Sequence, residues 1–338
     1  MPGSNLPEGR WYLSFHGGED AHAWNNLHAF SAAGEPLGKV LDAHSLPDGV
    51  ALRELRGFAF GPDGDLYVAN AYKGSSQILR FGGEPDEHGR HPFRAVFSEH
   101  HHANLGLAHP FHVAFGPDGH LYVPSQDTDV VGRYHGPGAK VGAPGTPMPV
   151  PPALAAWPAG TFHPGTFVPS AHHVEGGLKA VRHALFGPDG RLYVADRAAG
   201  AVNAYDPETG RRLRTYAGHP LRTPVHLLAW PERGLLLVGD RDSGTVATLD
   251  PASGVAATRV AAKAGGLETP AGLAWGPDGL LYVADRTGRR ILRFNPESGH
   301  PAGPPLLEGL PDAPEFILWV GAVPRSSGPV PDPTAGRR

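Results

Sequence analysis

Apolar residues along this chain come in short runs, each cut off by a polar turn containing Gly or Pro, as in "LRGFAFGPDGDLYVANAYKGSSQILRF" (55–81). The runs are rich in Val, Leu, Phe and Tyr. Runs of this length and makeup predict strands rather than helices. Strand side chains alternate between two faces, so neighbouring positions in one run have different surroundings.

The pattern then returns. The stretches "PFHVAFGPDGHLYVPSQDTDVVGRY" (110–134), "VRHALFGPDGRLYVADRAAGAVNAY" (181–205), "PVHLLAWPERGLLLVGDRDSGTVATL" (224–249) and "PAGLAWGPDGLLYVADRTGRRILRF" (270–294) keep the same order of parts. An apolar strand leads into a turn, most often Gly-Pro-Asp-Gly, suited to a tight reversal. An L-Y-V strand follows, then a polar loop with Asp or Asn, then an alternating strand. A fourth strand, such as "FRAVFS" (93–98) or "GTFVPS" (165–170), closes the unit. The spacing of roughly 45–70 residues suits one four-stranded propeller blade with its loops. The two ends complete a further blade. "WYLSF…NNLHAF" near the start lacks a first strand, and "PEFILWVGA" (314–322) is a first strand without a second. Setting Pro314 on Pro270 puts Trp319 on Trp275. The chain is therefore expected to be all-β, a six-bladed β-propeller over residues 8–323, its ring closed by the N-terminal strands and the C-terminal strand in one blade. Residues 324–338 are expected to be a disordered tail. The Pro- and Gly-rich stretch 136–160 is expected to be an extra loop between the last two strands of the third blade.

Composition narrows the function. A net charge of −4 and the lack of a basic block argue against a nucleic-acid partner. There is no Cys, which excludes disulfides and thiolate chemistry. No signal-peptide pattern and no membrane-length apolar run are visible, so a soluble, cytoplasmic monomer with no membrane partner is expected. His is abundant at 20 copies, several in "EHHHANLGLAH" and "SAHHVEGG".

One position of the repeat carries candidate chemistry. In the innermost strands it is Phe316, Gly57, His112, His183, His226 and Gly272 in turn, while the next position is apolar in every blade. The apolar set is expected to pack between blades. The His/Gly set is expected to face the axis, with the glycines leaving room and His112, His183 and His226 offering nitrogen. Three neutral imidazoles at one point can hold Zn²⁺ and leave a fourth position for water, which becomes nucleophilic near neutral pH. Each His could instead hydrogen-bond a neighbouring blade's carbonyl. The loops expected at the same mouth add His100, His101, His102, His109, His172, His173 and Glu175, together with His16, Glu19, Asp20, His22, Tyr72, Lys73, Gln126 and Asp127, and Arg56 and Arg182 are placed to hold an anion. The recurring Asp196, Asp240 and Asp285 read as turn caps.

The repeated GPDG-x-LYVAD phrase resembles the NHL-repeat and gluconolactonase-like six-bladed propellers, a superfamily whose members include lactonases, lyases and binding scaffolds. Within it, "FHGGEDAHAWNNLHAF" and Ala71-Tyr72 resemble peptidylamidoglycolate lyase, a zinc propeller. That resemblance implies Tyr72 as a general acid or base. The gluconolactonase Ca²⁺ site has few counterparts, since Arg56, Phe111, Arg182, Val225, Ala271 and Glu315 stand where its ligands belong and mostly lack hard oxygens. The expected function is a metal-dependent enzyme, lyase or hydrolase, acting on a small polar molecule in the axial pocket. Zinc would sit on His112, His183 and His226, with Tyr72 and His16 moving protons and Arg56 and Arg182 holding the substrate. The alternative is a non-catalytic NHL-type propeller that binds a protein or peptide on its His-rich face.

Overall fold

The computed structural model describes residues 9–17, 24–73 and 75–321. The tail 324–338 and the loop residues Glu19, Asp20 and His22 lie outside them. Strands β1 (Gly9–Phe15), β2 (His28–Ser31) and β3 (Pro36–Lys39) begin the chain. The second blade is β4 (Leu55–Phe60), β5 (Leu66–Asn70), β6 (Gln77–Phe81) and β7 (Phe93–Glu99). The third is β8 (Ala114–Phe115), β9 (Leu121–Ser125), β10 (Val130–Tyr134) and β11 (Thr166–Val168). The fourth is β12 (Val181–Phe186), β13 (Leu192–Asp196), β14 (Ala201–Tyr205) and β15 (Arg212–Ala217). The fifth is β16 (Pro224–Trp230), β17 (Leu235–Asp240), β18 (Thr245–Leu249) and β19 (Ala256–Val260). The sixth is β20 (Pro270–Trp275), β21 (Leu281–Asp285) and β22 (Arg290–Phe294). Finally β23 (Pro314–Gly321) pairs antiparallel with β1 and becomes the innermost strand of the first blade. The result is a ring of six blades closed by both chain ends, as the sequence pattern predicts.

The sixth blade has three strands where a fourth was expected. Its outer segment carries Pro301, Pro304, Pro305 and Pro311, and proline cannot donate to a ladder. Two isolated bridges, Ile291 to Leu307 and Phe294 to Pro301, take the missing strand's place. The stretch 136–160 does lie between β10 and β11, as a loop with a single short 3₁₀ turn at Pro152–Leu154.

Two local devices explain why the repeat folds this way. The Asp of the GPDG turn accepts from the Tyr of the following strand, at 2.9 Å for Tyr67–Asp63, 2.9 Å for Tyr122–Asp118, 2.7 Å for Tyr193–Asp189 and 2.9 Å for Tyr282–Asp278. The buried Asp at the end of the second strand accepts backbone N–H groups from the loop entering the same blade. Asp196 takes Lys179 and Ala180, Asp240 takes Arg222 and Thr223, and Asp285 takes Glu268 and Thr269. The core itself lies between blades. Phe58, Val113, Ala184, Leu227, Leu273 and Ile317 are all buried, and each belongs to a different one of the apolar clusters that join neighbouring sheets.

Candidate functional site

The inner strands do not alternate strictly. Pairing slips by one residue between Leu55 and Phe58, Val181 and His183, Pro224 and His226, and Pro270 and Leu273. In the first blade it slips where β1 passes from Ser14 to Phe15, opposite Phe316 and Pro314. In the third blade Pro110 bridges Ser125 while Ala114 pairs with Tyr122, the same displacement. An extra residue of this kind re-aims side chains. Here it presents two successive residues per blade to the channel in place of one.

The first of those residues forms an outer ring of Arg56, Phe111, Arg182, Val225, Ala271 and Glu315. All six line a mouth cavity of about 350 Å³. Loop residues His16, Tyr72, Lys73, His109 and Gln126 line it too, as do Arg241 and Arg286. Glu315 is 5% exposed, and its Oε1 lies 3.1 Å from His16 Nδ1 and 3.2 Å from Arg286 Nε. Arg286 Nη2 is also 3.0 Å from His16 Nδ1. Arg56, 2% exposed, donates to the His16 carbonyl at 2.5 Å and pairs with Glu54 at 3.3 Å. Arg182 donates to Gln126 and stacks on Phe111, its guanidinium carbon 4.7 Å from the ring centre. Burial pushes the Glu315 carboxyl up, but the His16 hydrogen bond and the Arg56 and Arg286 charges outweigh it and hold it below the usual range. Burial and the like charges of Arg197 and Arg241 bring Arg182 down to about 10, with Glu315 opposing them.

The second residue of each pair forms the layer beneath. His183 stacks on His112 with ring centres 3.8 Å apart and planes 27° apart, and lies 4.1 Å from His226. Phe316 completes the layer, 5.3 Å from His226 and 5.5 Å from His112. Three imidazoles thus meet as expected from the sequence, but not in the expected manner. Nitrogen lone pairs lie in the ring planes, and two stacked, nearly parallel rings cannot aim them at one ion. Among the described residues no group of three His, Asp or Glu side chains has metal-holding geometry. His112, His183 and His226 therefore do not fit a shared zinc. His112 Nδ1 is 3.2 Å from the Ala184 carbonyl, the bond to a neighbouring blade that was the other reading. Burial pushes His112 and His226 down to about 3 and His183 down as well, so the layer is neutral.

The glycines also differ from expectation. They leave no empty half. A methyl at Gly57 would overlap the His112 ring, and one at Gly272 would lie 2.8 Å from the Glu315 carbonyl and 3.0 Å from Phe316 Cα. Gly is needed at these two points because the neighbouring strand fills the space.

His16, Tyr72, Arg56 and Arg182 therefore share one cavity, while the imidazole layer lines a different one. His109 is the one residue of its His-rich loop that reaches the mouth; His100, His101 and His102 do not line it, nor do His172 and His173. Glu315, Arg241 and Arg286 are mouth residues to which the sequence had given no role. A signal for the arginines was present. Arg197, Arg241 and Arg286 each follow the capping Asp of "VADR" or "VGDR", directly after a strand that ends at the mouth.

No family model matches this chain, and no curated protein matches it. Solved structures do share its fold. The periplasmic gluconolactonase PpgL of Pseudomonas aeruginosa is 18% identical over 93% of this chain and 99% of that one, with a TM-score of 0.55. A nidogen/laminin complex matches at 14% identity, 92% and 98% coverage and a TM-score of 0.59. Virginiamycin B lyase from Staphylococcus aureus matches at 12% identity, 87% and 84% coverage and a TM-score of 0.53. The chain thus shares its propeller fold with these gluconolactonase, virginiamycin B lyase and nidogen/laminin structures.

Proposed function

We propose that this propeller is an enzyme, a hydrolase or lyase, that acts on a small anionic molecule held in the arginine-lined mouth, with His16 as its general base. The observation that carries this reading is the His16–Glu315 contact at 3.1 Å. A carboxylate only accepts and a guanidinium only donates, so His16 Nδ1 can satisfy one of its two neighbours. Donation to the buried Glu315 is the charge-assisted choice, and Arg286 keeps its own bond to the same oxygen. That tautomer leaves the His16 Nε2 lone pair for a proton. A histidine oriented by a buried carboxylate is an arrangement suited to general-base catalysis. Taking a proton from water would drive hydrolysis of an ester or lactone. Taking one from a carbon beside a carbonyl would drive elimination. Tyr72, in the same cavity, is the partner acid.

Charge defines the substrate class. Arg56, Lys73, Arg182, Arg241 and Arg286 line the mouth against two carboxylates, Glu54 and Glu315. The surplus suits a substrate carrying at least two negative charges, and guanidinium forks suit carboxylate or phosphate. The similarity in fold to lactonase and lyase structures supports the same two reaction classes. Calorimetric titration with an aldonate and its phosphorylated counterpart tests this. The phosphorylated acid is expected to bind at least tenfold more tightly, with Arg182→Gln removing most of the difference. Equal affinity for both, or no binding of either, would reject the reading.

A further inference from the structure

The inner strands run the length of the channel. The mouth cavity takes their first residues, and a second cavity of about 480 Å³ takes their last, so it opens at the opposite end. Its walls are apolar and part-buried: Phe60, Leu185, Leu228, Leu318, Trp319 and Val320. No Arg, Lys, Asp or Glu among the described residues lines it. Its polar edge is the imidazole layer. Within that layer His183 Nδ1 and Nε2 and His226 Nδ1 are buried with no hydrogen-bond partner.

Buried polar atoms in folded proteins are nearly always paired, and leaving one unpaired is costly. Three such nitrogens, in a layer whose rings line one open cavity, call for a group that pairs them once the rings turn toward it. A neutral imidazole offers one donor and one acceptor. The matching group also carries both and is uncharged, since no ion lines the cavity to balance a charge. The walls match an alkyl or aryl body. We infer that this second cavity is a binding site for a small apolar molecule ending in a neutral primary amide or hydroxyl group, seated against His183 and His226. The site is separate from the mouth and does not depend on its chemistry.

The test is titration of the full chain with straight-chain primary amides from butanamide to octanamide. Trp319 fluorescence, assigned with a Trp319→Phe control, and ¹⁵N-histidine NMR provide the readouts. Saturable binding is expected, tightening about fourfold per added methylene, with shifts at the ring nitrogens of His183. His183→Phe keeps an aromatic ring but removes the nitrogens and should weaken binding by about fivefold. Leu228→Asp leaves the imidazoles alone and should weaken it as well, while Arg182→Gln at the mouth should not. Absence of saturable binding, binding that neither His183→Phe nor Leu228→Asp changes, or a crystal structure in which ordered waters satisfy these nitrogens and the amide stays out, would overturn the inference.

Discussion

Glu315 is the residue on which the mouth depends. It is a buried carboxylate in contact with Arg286 and His16, with the Arg56 charge close by, and its net downward shift keeps it charged at neutral pH. Replacing it with Gln keeps the shape but removes the charge. Gln also offers an N–H₂ that His16 Nδ1 can accept, so the imidazole can switch tautomer. Glu315→Gln should therefore lower kcat on the order of 100-fold with a smaller effect on KM. In ¹⁵N NMR the His16 proton should move from Nδ1 to Nε2. An unchanged tautomer together with unchanged kcat would mean that Glu315 only balances Arg56 and Arg286.

At the scale of one element, the bulge in each inner strand sets which residue faces what. Most of the blade was legible in the sequence. The GPDG turn, the L-Y-V strand and the capping Asp are local signals, and Pro314 matched to Pro270 correctly foretold the closing strand. The bulge was not legible, because strict alternation allows only one of two neighbours to face the channel. The sequence reading therefore put His112, His183 and His226 at the mouth and gave Glu315 no role. The structure keeps Arg56 and Arg182 at the mouth, as expected, adds Glu315 beside them, and sends the imidazoles to the layer beneath. Gly57 sits in this bulge against the His112 ring, with its backbone N–H donating to the Phe111 carbonyl at 3.0 Å. Gly57→Ala must push that ring or its strand aside. It should cost about 1–3 kcal/mol, read as a lower urea midpoint. An unchanged midpoint would show that the channel at this level is looser than the contacts indicate.

For the whole molecule, the neutral imidazole layer ties stability to pH. His112 and His226 are pushed down to about 3 by burial, and His183 is pushed down as well. In the unfolded chain a histidine titrates at about 6.5. Between those values the unfolded state binds more protons than the folded one. The contribution is therefore complete above about pH 6.5 and is lost as pH falls toward 3. The slope is about 1.4 kcal/mol per pH unit for each imidazole that stays neutral. Urea unfolding at pH 7 and pH 5 should show a clear loss at the lower value, and His183→Phe should flatten the dependence by about one proton. A pH-independent midpoint in this window would mean that the layer takes up protons while folded. The same layer accounts for the mixture of His and Gly at this ring position: three imidazoles and Phe316 fill this level of the channel, and Gly57 and Gly272 make room for them and for their strands.

The most direct test of the account is turnover of a phosphorylated aldonolactone, followed by acid release, in the wild-type protein and in His16→Ala and His183→Phe. A base at the mouth predicts that His16→Ala loses at least about 100-fold in kcat while His183→Phe stays within a few-fold of wild type. Loss of turnover in His183→Phe with His16→Ala unaffected would place the chemistry in the imidazole layer and contradict it.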